Sequence, residues 1–181
     1  GKDEHLLYPE VALKEKGIEC CRIDRGGDVT YHGPGQLVVY PMLPLVGPDR
    51  DIHLFLRNLE EVGLRVLTDY GVTGSRIPGL TGVWVDGKKI MAVGVGVRKW
   101  VTFHGLAFNF ANNLEGFDLI IPCGIKDKGV TSLHLLLSRD ITRKEIEERF
   151  RFHFSEVFHL KLEEDVDPFN SEVISRDLLL N

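Results

Sequence analysis

A cysteine set between an apolar run and a glycine has the most direct route to covalent chemistry in this chain. The segment is Ile120-Ile121-Pro122-Cys123-Gly124, and the chain then turns charged with Lys126, Asp127 and Lys128. Gly124 is expected to leave backbone N–H donors free beside the thiol, the arrangement that stabilises an oxyanion. A thiol of pKa about 8.5 is only a few per cent thiolate at neutral pH, and a nearby ammonium favours the reactive form. A solitary cysteine is also a common structural residue, and spacing alone leaves both readings open.

The second unusual stretch is Arg25-Gly26-Gly27-Asp28-Val29-Thr30-Tyr31-His32-Gly33-Pro34-Gly35. Its glycines let backbone approach a ligand and leave N–H groups free to donate, with hydroxyls and an imidazole among them. A tight connection with a core tyrosine is the alternative. A third signal is Ala92, Gly94 and Gly96 alternating with Met91, Val93, Val95 and Val97, so that one strand face is bulky and the other nearly bare. Gly105 and Ala107 repeat the small residues on the next strand. Such a face either admits close packing or forms a slot for a slim ligand. Strict alternation puts Lys89 on the Val93 face, opposite Gly94.

The elements that must position these residues are legible by pattern. Residues 17–24 read as a strand, residues 36–43 as a second one stopped near Pro44, and residues 75–82 as loop. Apolar residues recur at helical spacing over residues 51–70, with Gly71 at the C-terminal position. The Asp86-Gly87 turn joins residues 83–85 to residues 88–97 as a hairpin, and residues 101–110 supply a third strand of that meander. Thr142-Arg143-Lys144-Glu145 is a capping box flanked by Ile141 and Ile146 as a hydrophobic staple. Ile146, Phe150, Phe154, Val157 and Phe158 are the buried face of the helix that follows. The sum is a strand-rich α/β (α+β) domain, a mostly antiparallel mixed sheet with covering helices. One domain over residues 1–181 is expected, with residues 163–181 a peripheral tail.

Composition removes several classes of function. The 181 residues carry net charge −5 with no basic stripe, which excludes a non-specific nucleic-acid binder. No apolar run spans a bilayer and no leader pattern opens the chain, so neither membrane insertion nor export is expected. The three cysteines make no disulfide framework; Cys20 and Cys21, in an apolar run, are expected to be small core hydrophobes in a reducing cytoplasm. The Gly82-to-Lys89 stretch misses a phosphate-binding loop because Lys89 stands where Ser or Thr must hold magnesium. Gly94 and Gly96 lack the third glycine of a dinucleotide fingerprint, and the histidines show no zinc spacing.

Taken together, residues 25–36, Gly82-Val83-Trp84-Val85, Lys89-Ile90, Phe103-His104-Gly105-Leu106-Ala107-Phe108-Asn109 and Pro122-Cys123-Gly124 resemble the signature of the lipoyl(octanoyl) transferases, in that family's order over about residues 22 to 133. The resemblance implies the fold of the biotin and lipoate ligase catalytic domain. It implies transfer of an octanoyl group from acyl carrier protein to a lysine of the lipoyl domains of 2-oxoacid dehydrogenase complexes and the glycine cleavage H protein. Cys123 would carry the acyl group as a thioester and Lys89 would activate it. Arg25, Gly26, Gly27, Asp28, Val29, Thr30, Tyr31 and His32, with Ala92, Val93, Gly94, Gly105, Leu106 and Ala107, would line the acyl site.

No cofactor or metal is implied, and since thioester exchange is nearly isoenergetic, no ATP. A bare strand face suits a straight acyl chain, recognised at about 0.8 kcal/mol per methylene. An acidic carrier docking on a chain of net charge −5 asks for a local basic rim, with Arg22, Lys88, Arg98, Lys99, Lys126 and Lys128 available. The family's N-terminal helix and strand ahead of His5-Leu6-Leu7 are expected to be absent. The rival readings are an ATP-dependent lipoate or biotin ligase, which needs no cysteine nucleophile, and a non-catalytic domain that binds acylated or lipoylated partners.

Overall fold

The computed structural model describes residues 5–23, 27–121 and 128–163. Its elements in chain order are α1 (Glu10–Glu15), β1 (Gln36–Val39), α2 (Ile52–Asp69), β2 (Ser75–Ile77), β3 (Leu80–Val85), β4 (Lys88–Arg98), β5 (Val101–Asn109), α3 (Leu133–Leu137) and α4 (Arg143–Phe158). The strands form one five-stranded sheet in the order β1-β5-β4-β3-β2, every neighbour antiparallel. The one parallel pairing among the described residues is the isolated bridge between Lys89 and Val130.

The helices form where their end signals stand. Asp51 caps α2 by accepting from the N–H groups of His53 and Leu54, and Gly71, at φ +70, follows its last turn. Thr142 caps α4 through the Glu145 N–H. Phe55, Leu59, Val62 and Val66 of α2 pack with Ile146, Phe150 and Phe154 of α4 and with Val83, Met91 and Phe108 of the sheet. The helix comes so close that a Cβ on Gly63 would stand 2.7 Å from Met91 Sδ.

Three segments differ from the sequence expectation. Residues 18–23 form no strand, because Gly17 (φ +75) ends α1 and no described strand offers this segment a ladder. Cys20 and Cys21 are therefore exposed rather than packed in the core. Residues 75–82 are not all loop: Ser75 pairs with Trp84, and Ile77 pairs with Leu80 across a Pro78-Gly79 turn with Gly79 at φ +80. Finally, β1 ends at Val39, because Pro41 has no N–H to continue the ladder. The chain rejoins β5 further on: Thr102 Oγ1 donates to the Pro41 carbonyl (2.7 Å), and the Thr102 N–H reaches Leu43 O (3.0 Å).

That detour carries Val39 and Pro41 across Gly105. A Cβ on Gly105 would lie 2.1 Å from the Val39 carbonyl oxygen and 2.6 Å from Pro41 Cδ. Backbone cannot yield as a flexible side chain can, so Gly105→Ala should cost about 1–3 kcal/mol of folding stability in chemical denaturation. A second anchor is the buried Glu60 on α2. It accepts from the Gly82 N–H (2.9 Å), Arg57 (2.7 Å) and Arg76 (3.1 Å), locking α2 to the sheet edge. Arg76 also reaches Glu61, and together with Arg65 it holds that carboxyl below the usual carboxylate range. Glu60→Ala strands a buried N–H, and an expected loss of about 2–3 kcal/mol should appear as a lower thermal midpoint.

Candidate functional site

A single irregularity in the sheet decides which side chains share a face. Trp84 pairs with Lys89, but the next residue back on β3, Val83, pairs with Met91. The extra residue on β4 is Ile90, and the register shift is a β-bulge. Directly opposed residues in an antiparallel pair project to the same face, and consecutive residues to opposite ones. Val83 and Met91 face α2; Trp84 and Lys89 therefore face away from it. Beyond the bulge the β4–β5 register is regular, with Ala92 opposite Ala107 and Gly94 opposite Gly105. Lys89 thus shares its face with Ala92 and Gly94, the reverse of what strict alternation across residues 89–94 requires.

On that face lies a narrow slot of about 40 Å³, with Ala92, Gly94, Gly105 and Ala107 in its floor. Gly27, Thr30 and His32 of the glycine-rich stretch form the opposite wall, and Tyr40 and His104 stand at the rim. His104 sits at φ +59, a left-handed conformation inside a strand, with its ring edge-on to Tyr40 at 5.7 Å. The slot adjoins a wider groove of about 630 Å³ lined by Leu6, Leu13, Ile18, Tyr31 and Ile120. Gly96 serves close packing instead, and Gly105 borders the slot while also lying under neighbouring chain. The Phe103 ring lies over Gly96, 2.2 Å from where a Cβ would be, and the chain at Val39–Pro41 covers Gly105.

The glycine-rich stretch is held by its own side chains. Asp28 accepts from the Val29 N–H (2.7 Å) and from His5 Nδ1. The Tyr31 ring is wedged between Gly33 and Gly116, a Cβ on either falling within 2.5 Å of it, and meets Phe117 edge-on at 5.6 Å. These contacts support a structural part for Tyr31. His32 is exposed and donates from Nδ1 to Gln36 Oε1 (3.0 Å). Gln36 Nε2 in turn reaches Tyr31 O (3.2 Å) and Asn109 Oδ1 (2.8 Å).

Lys89 is 7% exposed. Where β5 ends at Asn109, residues 129–131 take its place alongside β4: the Lys89 N–H donates to Gly129 O (2.9 Å) and the Thr131 N–H to Lys89 O (3.0 Å). Asn109 Nδ2 secures the same segment through Thr131 O (3.0 Å). Cys123, Arg25 and Gly26 lie outside the described residues, as do Asp24 and Lys126; Val93 and Leu106 border the slot. Trp84, Gly82, Asn109 and Thr131 were not singled out as site residues by sequence reasoning. Three of them do sit inside the recognised motifs; what marks the four is that Trp84, Gly82 and Thr131 adjoin Lys89 and Asn109 bonds Thr131.

The basic rim divides in three. Lys88 and Lys128 flank Lys89's end of β4 and line a cleft with Gly129 and Asn112. Arg98 and Lys99 stand at the other end of this 11-residue strand, about 30 Å away at the usual rise. Arg22 borders the wider groove and pairs with Glu10 at 3.5 Å. Among the described residues no cluster of three His, Cys, Asp or Glu side chains is arranged to hold a metal, and no helix is long and apolar enough to cross a membrane.

The family model of the lipoyl protein ligase A/B catalytic domain matches residues 1–155. An octanoyltransferase of Thermosynechococcus vestitus is 48% identical over 157 residues, 87% of this chain and 68% of that protein. The octanoyltransferase of Christiangramia forsetii is 48% identical over 168 residues, 90% and 72% of the two chains. Among solved structures, lipoate-protein ligase A bound with ATP superposes with TM-score 0.69 at 22% identity, covering 86% of this chain and 65% of that one. This chain therefore spans just under two thirds of that ligase. A bipartite lipoate protein ligase from Thermoplasma acidophilum gives TM-score 0.67 at 23% identity, over 84% and 63%. The ligases share this fold, and the octanoyltransferases are identical at nearly half of the aligned positions. The chain belongs to the lipoyl protein ligase A/B catalytic domain family and, within it, to the lipoyl(octanoyl) transferases.

Proposed function

We propose that this chain moves an octanoyl group from acyl carrier protein, through a thioester on Cys123, to a lysine of a lipoyl domain. The acceptors in this reading are the lipoyl domains of 2-oxoacid dehydrogenase complexes and the glycine cleavage H protein, and the compartment is the cytoplasm. One observation carries it: Lys89 is buried on the slot face and hydrogen-bonded through its backbone to Gly129 and Thr131, and Cys123 precedes Gly129 by six residues in the sequence. The naming of the relatives as octanoyltransferases supports the same reading.

The cycle has two balanced halves. Neutral Lys89 takes the Cys123 proton, and the thiolate attacks the carrier thioester. The new sulfur–carbon bond forms as the carrier's breaks, and the departing carrier thiolate takes the proton back from Lys89. In the second half the acceptor amine, neutral on docking, attacks the enzyme thioester. Its proton passes by way of Lys89 to the leaving Cys123 sulfur, and the amide is released. The slot and the wider groove it adjoins together take the acyl chain; Gly27, Thr30 and His32 line both, and Ala92, Gly94 and Ala107 line the slot. Burial of the methylenes supplies binding, at about 0.8 kcal/mol each.

Incubation with octanoyl-acyl carrier protein and no ATP should add one octanoyl mass to the intact chain, and the adduct should map to Cys123. The Cys123→Ser variant should lose transfer to a lipoyl domain. Absence of the adduct overturns the covalent cycle, and a strict requirement for ATP turns the reading to the ligase chemistry of the structural relatives. Lys89→Ala should leave carrier binding intact while single-turnover acylation falls about 100-fold or more. An unchanged acylation rate removes Lys89 from the proton path.

A further inference from the structure

The inference here rests on the reading of Lys89 as proton carrier and extends it to the ring beneath that lysine. Lys89 and Trp84 are directly opposed across the β3–β4 pair, and both are buried. Lys89 Nζ stands 4.7 Å from the centroid of the indole ring. A second ammonium, Lys128 Nζ, lies 5.9 Å from the same ring, and in sequence Lys128 follows Cys123 by five residues. One aromatic surface therefore gathers a cation from the start of β4 and another from the segment downstream of the cysteine.

The stem of Lys89 is confined as well. Gly82, at φ +122, packs against it: a Cβ there would meet Met91 O at 2.5 Å and Lys89 Cε at 3.4 Å. Backbone bonds on both sides of Lys89, to Gly129 and from Thr131, hold the Lys128 end of the segment in register with the ring. Trp84 Nε1 is buried without a hydrogen-bond partner among the described residues. Phenylalanine or leucine would fill the site without a stranded donor, so the gain from the indole lies in its π surface. Of the aromatic side chains, tryptophan attracts a cation most strongly.

We propose that Trp84 is a positioning residue whose π face holds the Lys89 ammonium. A π face favours the charged lysine over the neutral one. It therefore stabilises the state in which the Cys123 proton has moved to Lys89 and the thiolate is free to attack. Lys128, drawn to the same ring, keeps the segment downstream of the cysteine close to the lysine that serves it.

The test is the single-turnover rate of Cys123 octanoylation, measured beside thermal unfolding. Trp84→Leu should slow acylation about tenfold or more with carrier binding little changed, whereas Trp84→Phe should restore most of the rate. In the Lys89→Ala background the Trp84→Leu change should have no further effect, since the two act as a unit. A shape-preserving series guards against a leucine variant that fails to fold. In a Trp100→Phe background, mono-, di- and trifluorinated tryptophan weaken the π face stepwise, and the rate should fall with each step. A flat rate across that series, a folded Trp84→Leu enzyme at the parental rate, or full additivity with Lys89→Ala overturns the role of Trp84 alone. An unacylated Cys123 in the parental chain, or a fully active Lys89→Ala, overturns the functional reading beneath it.

Discussion

One inserted residue in the β3–β4 ladder determines which side chains share the face of the slot. Without the bulge at Ile90, Lys89 would share a face with Met91 and point at α2, a charge driven into packed hydrocarbon. With it, Ile90 and Met91 both join the core while Lys89 crosses to the side of Ala92 and Gly94. The bulge thus resolves a conflict between a core that needs apolar residues and a site that needs an amine. It sits next to the turn at Asp86-Gly87, whose positive φ angles (49° and 75°) let the hairpin tighten without straining a larger residue.

The opposite end of the site depends on polar side chains that join distant parts of the chain. Asn109 closes β5, receives Gln36 and Asn112 on Oδ1, and donates to Thr131. It thereby holds the start of β1, the end of β5 and the return segment beside β4 at one point. Gly35, at φ +82, lets β1 start against the backbone of Ala111 and Asn112, where a Cβ would fall 2.4 Å from Asn112 N. Gly33 and Gly116 give the Tyr31 ring its place in the same way. Glycine serves here mainly to let chain approach chain, and among the described residues open space lies where Ala92, Gly94 and Ala107 border the slot and in the groove it adjoins.

Sequence and structure agree most closely where signals are local. The Thr142 capping box, the apolar spacing over residues 51–70 with Gly71 at its end, the staple of Ile141 and Ile146, and the Asp86-Gly87 turn each need only neighbours along the chain. Each produced the expected element. The motifs that mark the family were legible for the same reason, since residues 25–36 and 103–109 are contiguous runs. Of the bare strand face, the sequence left two readings, and the structure divides them by position: Gly96 is packed over by Phe103, Ala92, Gly94 and Ala107 face the slot, and Gly105 does both.

The sequence by itself determined the motifs that mark the family, the helices that cover the sheet and the antiparallel hairpin at its centre. Tertiary structure decided which face Lys89 occupies, that residues 18–23 stay outside the sheet with Cys20 and Cys21 exposed, and that residues 75–77 pair as a strand. Those outcomes depend on partners remote in the sequence. A strand exists only if an edge is available to pair with it, and a face is assigned only when the register against its neighbour is set. The pairing of Trp84 with Lys89, one step out of phase with Val83 and Met91, is such a non-local choice, and residue alternation along β4 alone points the opposite way.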